Sequence, residues 1–264
     1  MRRVLSVLTG TAAVVCAAAL AGCTTSPPAP GPTTAAPTSS SPSPSPTPTP
    51  SATSASPTPS QPTTADAVVV AVGAAQWARI KAAGMARPGC PVTRTDLRRV
   101  EINHWGFDGE VHRGVLVVRS DVAESVARIF TELFDAKFPI RRMTPLEEYG
   151  GDNEKSMADD NTAAYNCRSA AQQNASPTTS PHANGRAVDV NPLENPWQDP
   201  RCAPCWSPRA TTHGTNRTGK GVIVEGGVVW KAFTDEGWIW QDIDVKDYMH
   251  FDTGYPSKPF SPKV

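Results

Sequence analysis

The chain has 264 residues, 25 acidic and 25 basic side chains and a formal net charge of zero. That balance supplies no basic surface for phosphate backbones, so no nucleic-acid partner is expected. With an N-terminal leader and a Pro-rich stretch set aside, enough chain remains for one domain with its own core, expected to be a monomer.

Arg2 and Arg3 precede an apolar run from Val4 to Leu20, the two parts of an export signal. The run is too short and too interrupted to be read as a spanning helix. Leu20, Ala21, Gly22 and Cys23 read as a bacterial lipobox, which makes Cys23 the lipidated N-terminus of the mature chain. An ordinary signal peptide with a chance cysteine is the alternative. Acylation of Cys23 would attach the protein to a membrane by a lipid anchor, with no spanning helix. Residues 24–65 are mostly Pro, Ser, Thr and Ala with almost no charge, and the 27 prolines of the chain are densest before residue 65. Such a composition cannot offset chain entropy and favours an extended, disordered tether. The expected organisation is therefore a lipoprotein signal over 1–23, a linker over 24–65 and one folded domain over 66–264.

Within that domain, Ala65 to Ala86 reads as a strand and then a short helix. From Asp96, the alternation of Val100, Ile102 and His104 with Arg99, Glu101 and Asn103 predicts a half-buried strand. Asp108-Gly109 marks a turn, and His112 to Arg119 reads as the returning strand. Ser120, Asp121 and Glu124 have the pattern of a helix start. Val122, Val126, Ile129, Phe130, Leu133 and Phe134 follow at helical spacing and are expected in the core. Ile140 and Met143 suggest a short strand, and Glu147 to Asn161 reads as a polar, Gly-containing loop. Cys202 and Cys205 form a lone C-x-x-C, which fits a local disulfide in an exported chain better than a redox pair or half a zinc site. Cys90 and Cys167 would then pair, although four cysteines allow three connectivities and spacing chooses none of them. His213 lies in a Gly- and Thr-rich loop and is expected to face solvent. His104 and His112 are expected as surface or hydrogen-bonded strand residues. Trp238 and Trp240 read as core and cleft wall.

The chemistry concentrates in two places. The first is Ser180-Pro-His-Ala-Asn-Gly-Arg-Ala-Val-Asp189. His182 and Asp189 are zinc-type donors. Their separation of seven suits a turn, eased by Gly185, that runs into a strand with Val188 and Val190 on one face and Asp189 on the other. The second is Asp247-Tyr-Met-His-Phe-Asp252, which adds His250 and a carboxylate three residues before it. His182, Asp189 and His250 make a three-ligand zinc set with one position open, and Asp247 is a proton acceptor beside it.

The pattern S-x-H-x-x-G-x-A-x-D with a distant acid-x-x-H resembles the zinc D-alanyl-D-alanine carboxypeptidases and L-alanyl-D-glutamate endopeptidases, peptidase family M15. It looks closest to subfamily C of that family, the branch with Asn-Pro after the Asp, here Asn191-Pro, and Asp-Tyr-Met-His-Phe near the end. The resemblance implies an α+β fold in which helices pack on a small antiparallel sheet that carries the ligands. It implies Zn²⁺ on His182, Asp189 and His250, with Asp247 as general base. Arg168, of an Arg-Ser pair before the motif, would hold a substrate carboxylate or stabilise the oxyanion. Gln172 would assist it, and Ser180 would hydrogen-bond near the metal and substrate. Many relatives carry Glu at the base position, so Asp247 is one methylene shorter. The implied substrate is a peptidoglycan stem peptide, and the implied location is extracytoplasmic, facing the cell wall. Carboxypeptidase and endopeptidase both remain open. The rival from another class is a non-catalytic zinc-binding wall or signalling module.

Overall fold

The computed structural model describes residues 61–169, 176–202, 204–209, 211, 213–242 and 245–263. The chain divides into two units, Met1–Ser56 and Pro57–Val264, and everything below concerns the second. The expected signal, Cys23 and most of the expected linker lie outside the described residues, as does Gln172.

The domain begins with an antiparallel meander of β1 (Val68–Ala71), β2 (Leu97–Trp105) and β3 (Val111–Arg119), in the order β1-β2-β3. Between β1 and β2 run α1 (Ala74–Ala82) and a short 3-10 turn, Arg94–Asp96. β2 and β3 pair along their full length from Leu97↔Arg119 to Trp105↔Val111. Gly109 turns the corner between them at φ +83°, where a side chain would be strained. The alternation read from the sequence is present: Val100 and Ile102 are buried against helix α2 (Ala123–Asp135). Val122, Val126, Ile129, Phe130, Leu133 and Phe134 are all buried, as their spacing predicts.

The helix starts where its pattern lies, with Glu124 in the first turn, but the cap is a correction. Val122 occupies the N-cap without a side-chain cap, so Ser120 does not cap the helix. The neighbouring carboxylate of Asp121 is instead engaged by Nε and Nη2 of Arg186, at 2.9 and 2.7 Å. The stretch from Glu147 to Asn161 is a second correction. It contains most of a 3-10 turn, Leu146–Tyr149, and all of α3 (Asn153–Ala158), which Asp152 caps by accepting from Lys155 N. Glu147, Ser156 and Met157 are buried, so a polar composition hid a packed face. The short strand expected at Ile140 and Met143 is β4 (Arg142–Met143), parallel to β5 (Asn161–Thr162).

The C-terminal half carries β6 (Ala187–Asp189), β7 (Trp197–Gln198), β8 (Trp206–Ser207), α4 (Val228–Asp235), β9 (Ile239–Asp242) and β10 (Lys246–Asp252). These strands form their own sheet, ordered β6-β10-β7-β8, with β9 also pairing with β10. The fold is thus mixed, with small antiparallel sheets and four α-helices among the described residues, as an α+β class requires. One expectation changes: the meander and the sheet that bears Asp189 and His250 are separate. Phe251 of β10 stacks on Phe233 of α4 with ring centroids 4.1 Å apart, and both are fully buried. Each such ring is worth roughly 1.5–3 kcal/mol of burial. A second apolar cluster, including Ile80, Met85, Leu97, Val117, Leu146, Tyr165 and Cys167, lies under the segment leading to Arg168. Disulfides join Cys90 to Cys167 and Cys202 to Cys205. Among the described residues, no helix is long and apolar enough to cross a membrane.

One buried carboxyl pair has a pH consequence. Asp160 is fully buried, with Oδ2 accepting from Arg141 Nε at 2.9 Å and Oδ1 from Leu193 N at 2.9 Å. Glu194 lies beside it. Burial first, and then Asp160, push the Glu194 carboxyl from its ordinary 4.5 up to about 8. The folded state therefore holds a proton that the unfolded chain releases between those values. Stability should fall as pH rises from the ordinary Glu range toward about 8. Glu194→Gln should flatten that slope in thermal unfolding across the window. A wild-type slope of the opposite sign, or an unchanged slope in the variant, would contradict this.

Candidate metal centre

The motif turn is held by its own backbone. Ser180 Oγ accepts from Ala183 N at 3.3 Å, and Asn184 donates through N and Nδ2 to Ser180 O at 3.1 and 2.9 Å. Gly185 sits at φ +69°, where a Cβ would come within 2.8 Å of Arg119 N. Its carbonyl accepts from Arg119 N at 2.7 Å. Glycine is required there because the turn must press against the end of β3. The turn presents His182, and the chain then enters β6, where Val188 and Val190 join the core. Asp189 takes the opposite face and pairs directly with His250 of β10.

Asp247 and His250 are three residues apart, and in a regular strand they would face opposite sides. β10 is not regular: its register against β9 shifts between Lys246 and Phe251. A slip of this kind lets both side chains serve one site.

His182, Asp189 and His250 each bring one donor atom into a cluster whose atoms lie within 4.8 Å of one another. His182 Nε2 is 3.0 Å from His250 Nδ1 and 3.2 Å from Asp189 Oδ2, and His250 Nδ1 is 2.9 Å from Asp189 Oδ1. The outer nitrogens decide what faces inward. His182 Nδ1 donates to Ala164 O at 2.7 Å, and His250 Nε2 donates to Asp252 Oδ2 at 3.1 Å. With both rings neutral, as metal ligands must be, each would turn a lone pair toward the other and toward a carboxylate. Three electron-rich atoms at this spacing repel unless a positive charge joins them. The electrostatics show the same demand. Burial alone lowers His250, yet its hydrogen bonds to Asp189 and Asp252 lift it well above its ordinary value. Burial also lowers His182, and the two imidazoles hold Asp189 far below the usual carboxylate range despite its burial. Two imidazoles and a carboxylate with tethered outer atoms are a donor set that zinc fits.

Asp247 lies beside this cluster. Its Oδ1 is enclosed and accepts no hydrogen bond among the described residues. Burial pushes its carboxyl up to about 7; His250 and Arg168 oppose the rise, and Asp189 and Asp252 reinforce it. The charge of Arg168 is felt at both Asp247 and His182. Ser180 is spent on the turn it opens. The other histidines stay apart. His104 is the hydrogen-bonded strand residue of the two expected alternatives, buried in β2 with Nδ1 3.4 Å from Trp105 O. His112 is exposed on Asp108, and half-buried His213 is bonded to Asn216 O. A second donor cluster, Asp199 with Cys202 and Cys205, has its two sulfurs bonded to each other. Trp238 is core, and Trp240 packs on Phe251 and Tyr248, donating to Tyr248 O. Sequence reading passed over Asp252. An acid two residues after a candidate metal-binding histidine, on the same face of a strand, was the available signal.

Residues 174–253 match a family model described as D-alanyl-D-alanine carboxypeptidase, a peptidase of family M15. The match covers under a third of the 264 residues and includes His182, Asp189, Asp247 and His250. Arg168 lies outside it. No curated protein and no solved structure gives a significant match to the chain.

Asp252 should govern metal affinity without touching metal. Asp252→Asn should weaken zinc binding about 10- to 100-fold in a chelator competition, as loss of an outer partner of a ligating His does. An unchanged affinity would show that the Asp252 contact does not matter to the site.

Proposed function

We propose that this chain is an exported zinc metallopeptidase that cleaves peptidoglycan stem peptides, as the family matched over 174–253 supports. The observation that carries the reading is the convergence of His182, Asp189 and His250 on one point with the Asp247 carboxyl beside it. His182 Nε2, an Asp189 oxygen and His250 Nδ1 would hold the ion. Zinc, when bound, supplies a Lewis acid that polarises a peptide carbonyl and acidifies water. The chain's own residues do the rest. Asp247 takes a proton at its enclosed carboxylate and returns it to the leaving amine; a carboxyl near pH 7 can do both. Arg168 offers a permanent cation for a substrate carboxylate or a developing oxyanion. The Asn-Pro after Asp189 and the Asp-Tyr-Met-His-Phe stretch favour subfamily C of the family.

The address follows from the N-terminal sequence. Cys23 is lipidated, residues 24–65 give reach, and the domain faces the cell wall from the membrane. Such a protein meets stem peptides as its ordinary surroundings.

Zinc-loaded protein incubated with defined muropeptides, with products read by mass spectrometry, tests the activity. Asp247→Asn should keep its zinc and lose about 10²- to 10⁴-fold in rate, because only the proton transfer is removed. Near-normal hydrolysis by that variant rules out the base role; zinc loss makes Asp247 part of the metal site; an inert wild type favours the non-catalytic module. For the address, Cys23→Ser should shift the protein from the membrane fraction to the soluble one. An unmodified Cys23 peptide from native membranes would defeat the lipid anchor.

A further inference from the structure

The segment that delivers Arg168 is anchored from an unexpected direction. Arg87 lies in the loop after α1, far in sequence from the motif, and is half-buried. Its Nη1 donates to Cys167 O at 2.5 Å and to Gly84 O at 3.2 Å, and its Nη2 donates to Arg168 O. The same Nη1 lies 3.7 Å from Cys90 Sγ and 3.6 Å from Cys167 Sγ, against the disulfide that joins these two residues. Tyr165 adds a third tie, donating from its hydroxyl to Met85 O at 2.5 Å. On its other side the segment meets the motif turn, where Asn166 N donates to His182 O at 3.1 Å.

We propose that Arg87 is a positioning residue. With the Cys90–Cys167 disulfide, it fixes the backbone of Cys167 and Arg168 so that the Arg168 guanidinium is delivered to the metal centre.

The geometry explains the choice of arginine. Two successive carbonyls must be gripped at once, and only a planar fork of donors spans both. Charge-assisted bonds to carbonyls are stronger than neutral ones, so the peptide between residues 167 and 168 is held in one orientation, and so is the one that follows it. The disulfide fixes the position of that peptide, and Arg87 fixes its rotation. Neither belongs to the donor cluster of His182, Asp189 and His250. The importance for turnover rests on the proposed role of Arg168, whereas the positioning itself does not.

The test uses the full chain with Arg87→Ala and Arg87→Lys, each also combined with Arg168→Ala. Arg168 modification by a 1,2-dicarbonyl reagent, followed by peptide mass spectrometry, reads its exposure without any need for activity. Arg87→Ala should speed that modification several-fold and leave zinc affinity unchanged. Arg87→Lys keeps the charge but not the fork, and should behave similarly; it stands in if the alanine variant fails to fold. On muropeptides, kcat/KM should fall about 10- to 100-fold, the scale of a small misplacement of a catalytic group. That loss should vanish in the Arg168→Ala background, because residues acting through one another are not additive. An unchanged modification rate, or an equal loss in both backgrounds, overturns the proposal. If wild-type protein cleaves no muropeptide, the functional reading fails by itself, and the modification rate still decides whether Arg87 positions Arg168.

Discussion

The antiparallel pairing that sets Asp189 opposite His250 is the constraint on which the site depends. Directly opposed side chains on one face of a sheet have their Cβ atoms about 5 Å apart, close enough for both to reach a single point. The pairing needs β6 and β10 in register, and that register is held by residues with no part in the chemistry. Val188 and Val190 anchor β6, and Phe251, stacked on Phe233, anchors β10. A slip of one residue in either strand would turn these apolar side chains outward and the donors into the core, so packing and site select the same register.

The buried polar atoms of the centre would be costly if left unsatisfied. The chain meets this by tying each outer atom to a fixed partner: Ala164 O for His182, and Asp252 for His250. Asp252 is held in turn by Gly254 N at 2.7 Å. What remains facing inward is a set of acceptors that a cation satisfies. The same logic of anchoring at one remove recurs at Arg168, where the grip is on the backbone and comes from a loop that packs on the second apolar cluster.

Much of this was legible in sequence because periodicity and spacing report directly on burial. The meander, α2 and its apolar stripe, β6 with its alternating valines, and the donors His182, Asp189 and His250 all follow from such patterns. The misses share a cause. The cap expected of Ser120 is absent because the helix begins at Ala123 with Val122 as its N-cap, while the adjacent Asp121 is engaged by Arg186, 65 residues away. The polar stretch from Glu147 hid a turn and a helix because its burial depends on distant partners, such as Gln76, which donates to Glu147 from 71 residues away.

The sequence by itself determined which side chains are the candidate metal donors, because zinc-type donors and a nearby carboxyl are recognisable by type and interval alone. It also determined the disulfide alternatives, but not the pairing among them. Only the tertiary structure decided which nitrogen of each imidazole faces inward, since that depends on a carbonyl 18 residues away and a carboxylate across a ring. It decided that Asp247 and His250 share a side, which a regular strand forbids and a slipped one permits. And it brought Arg87 to Arg168, 81 residues apart, because hydrogen bonds between distant segments leave no periodic trace in the chain.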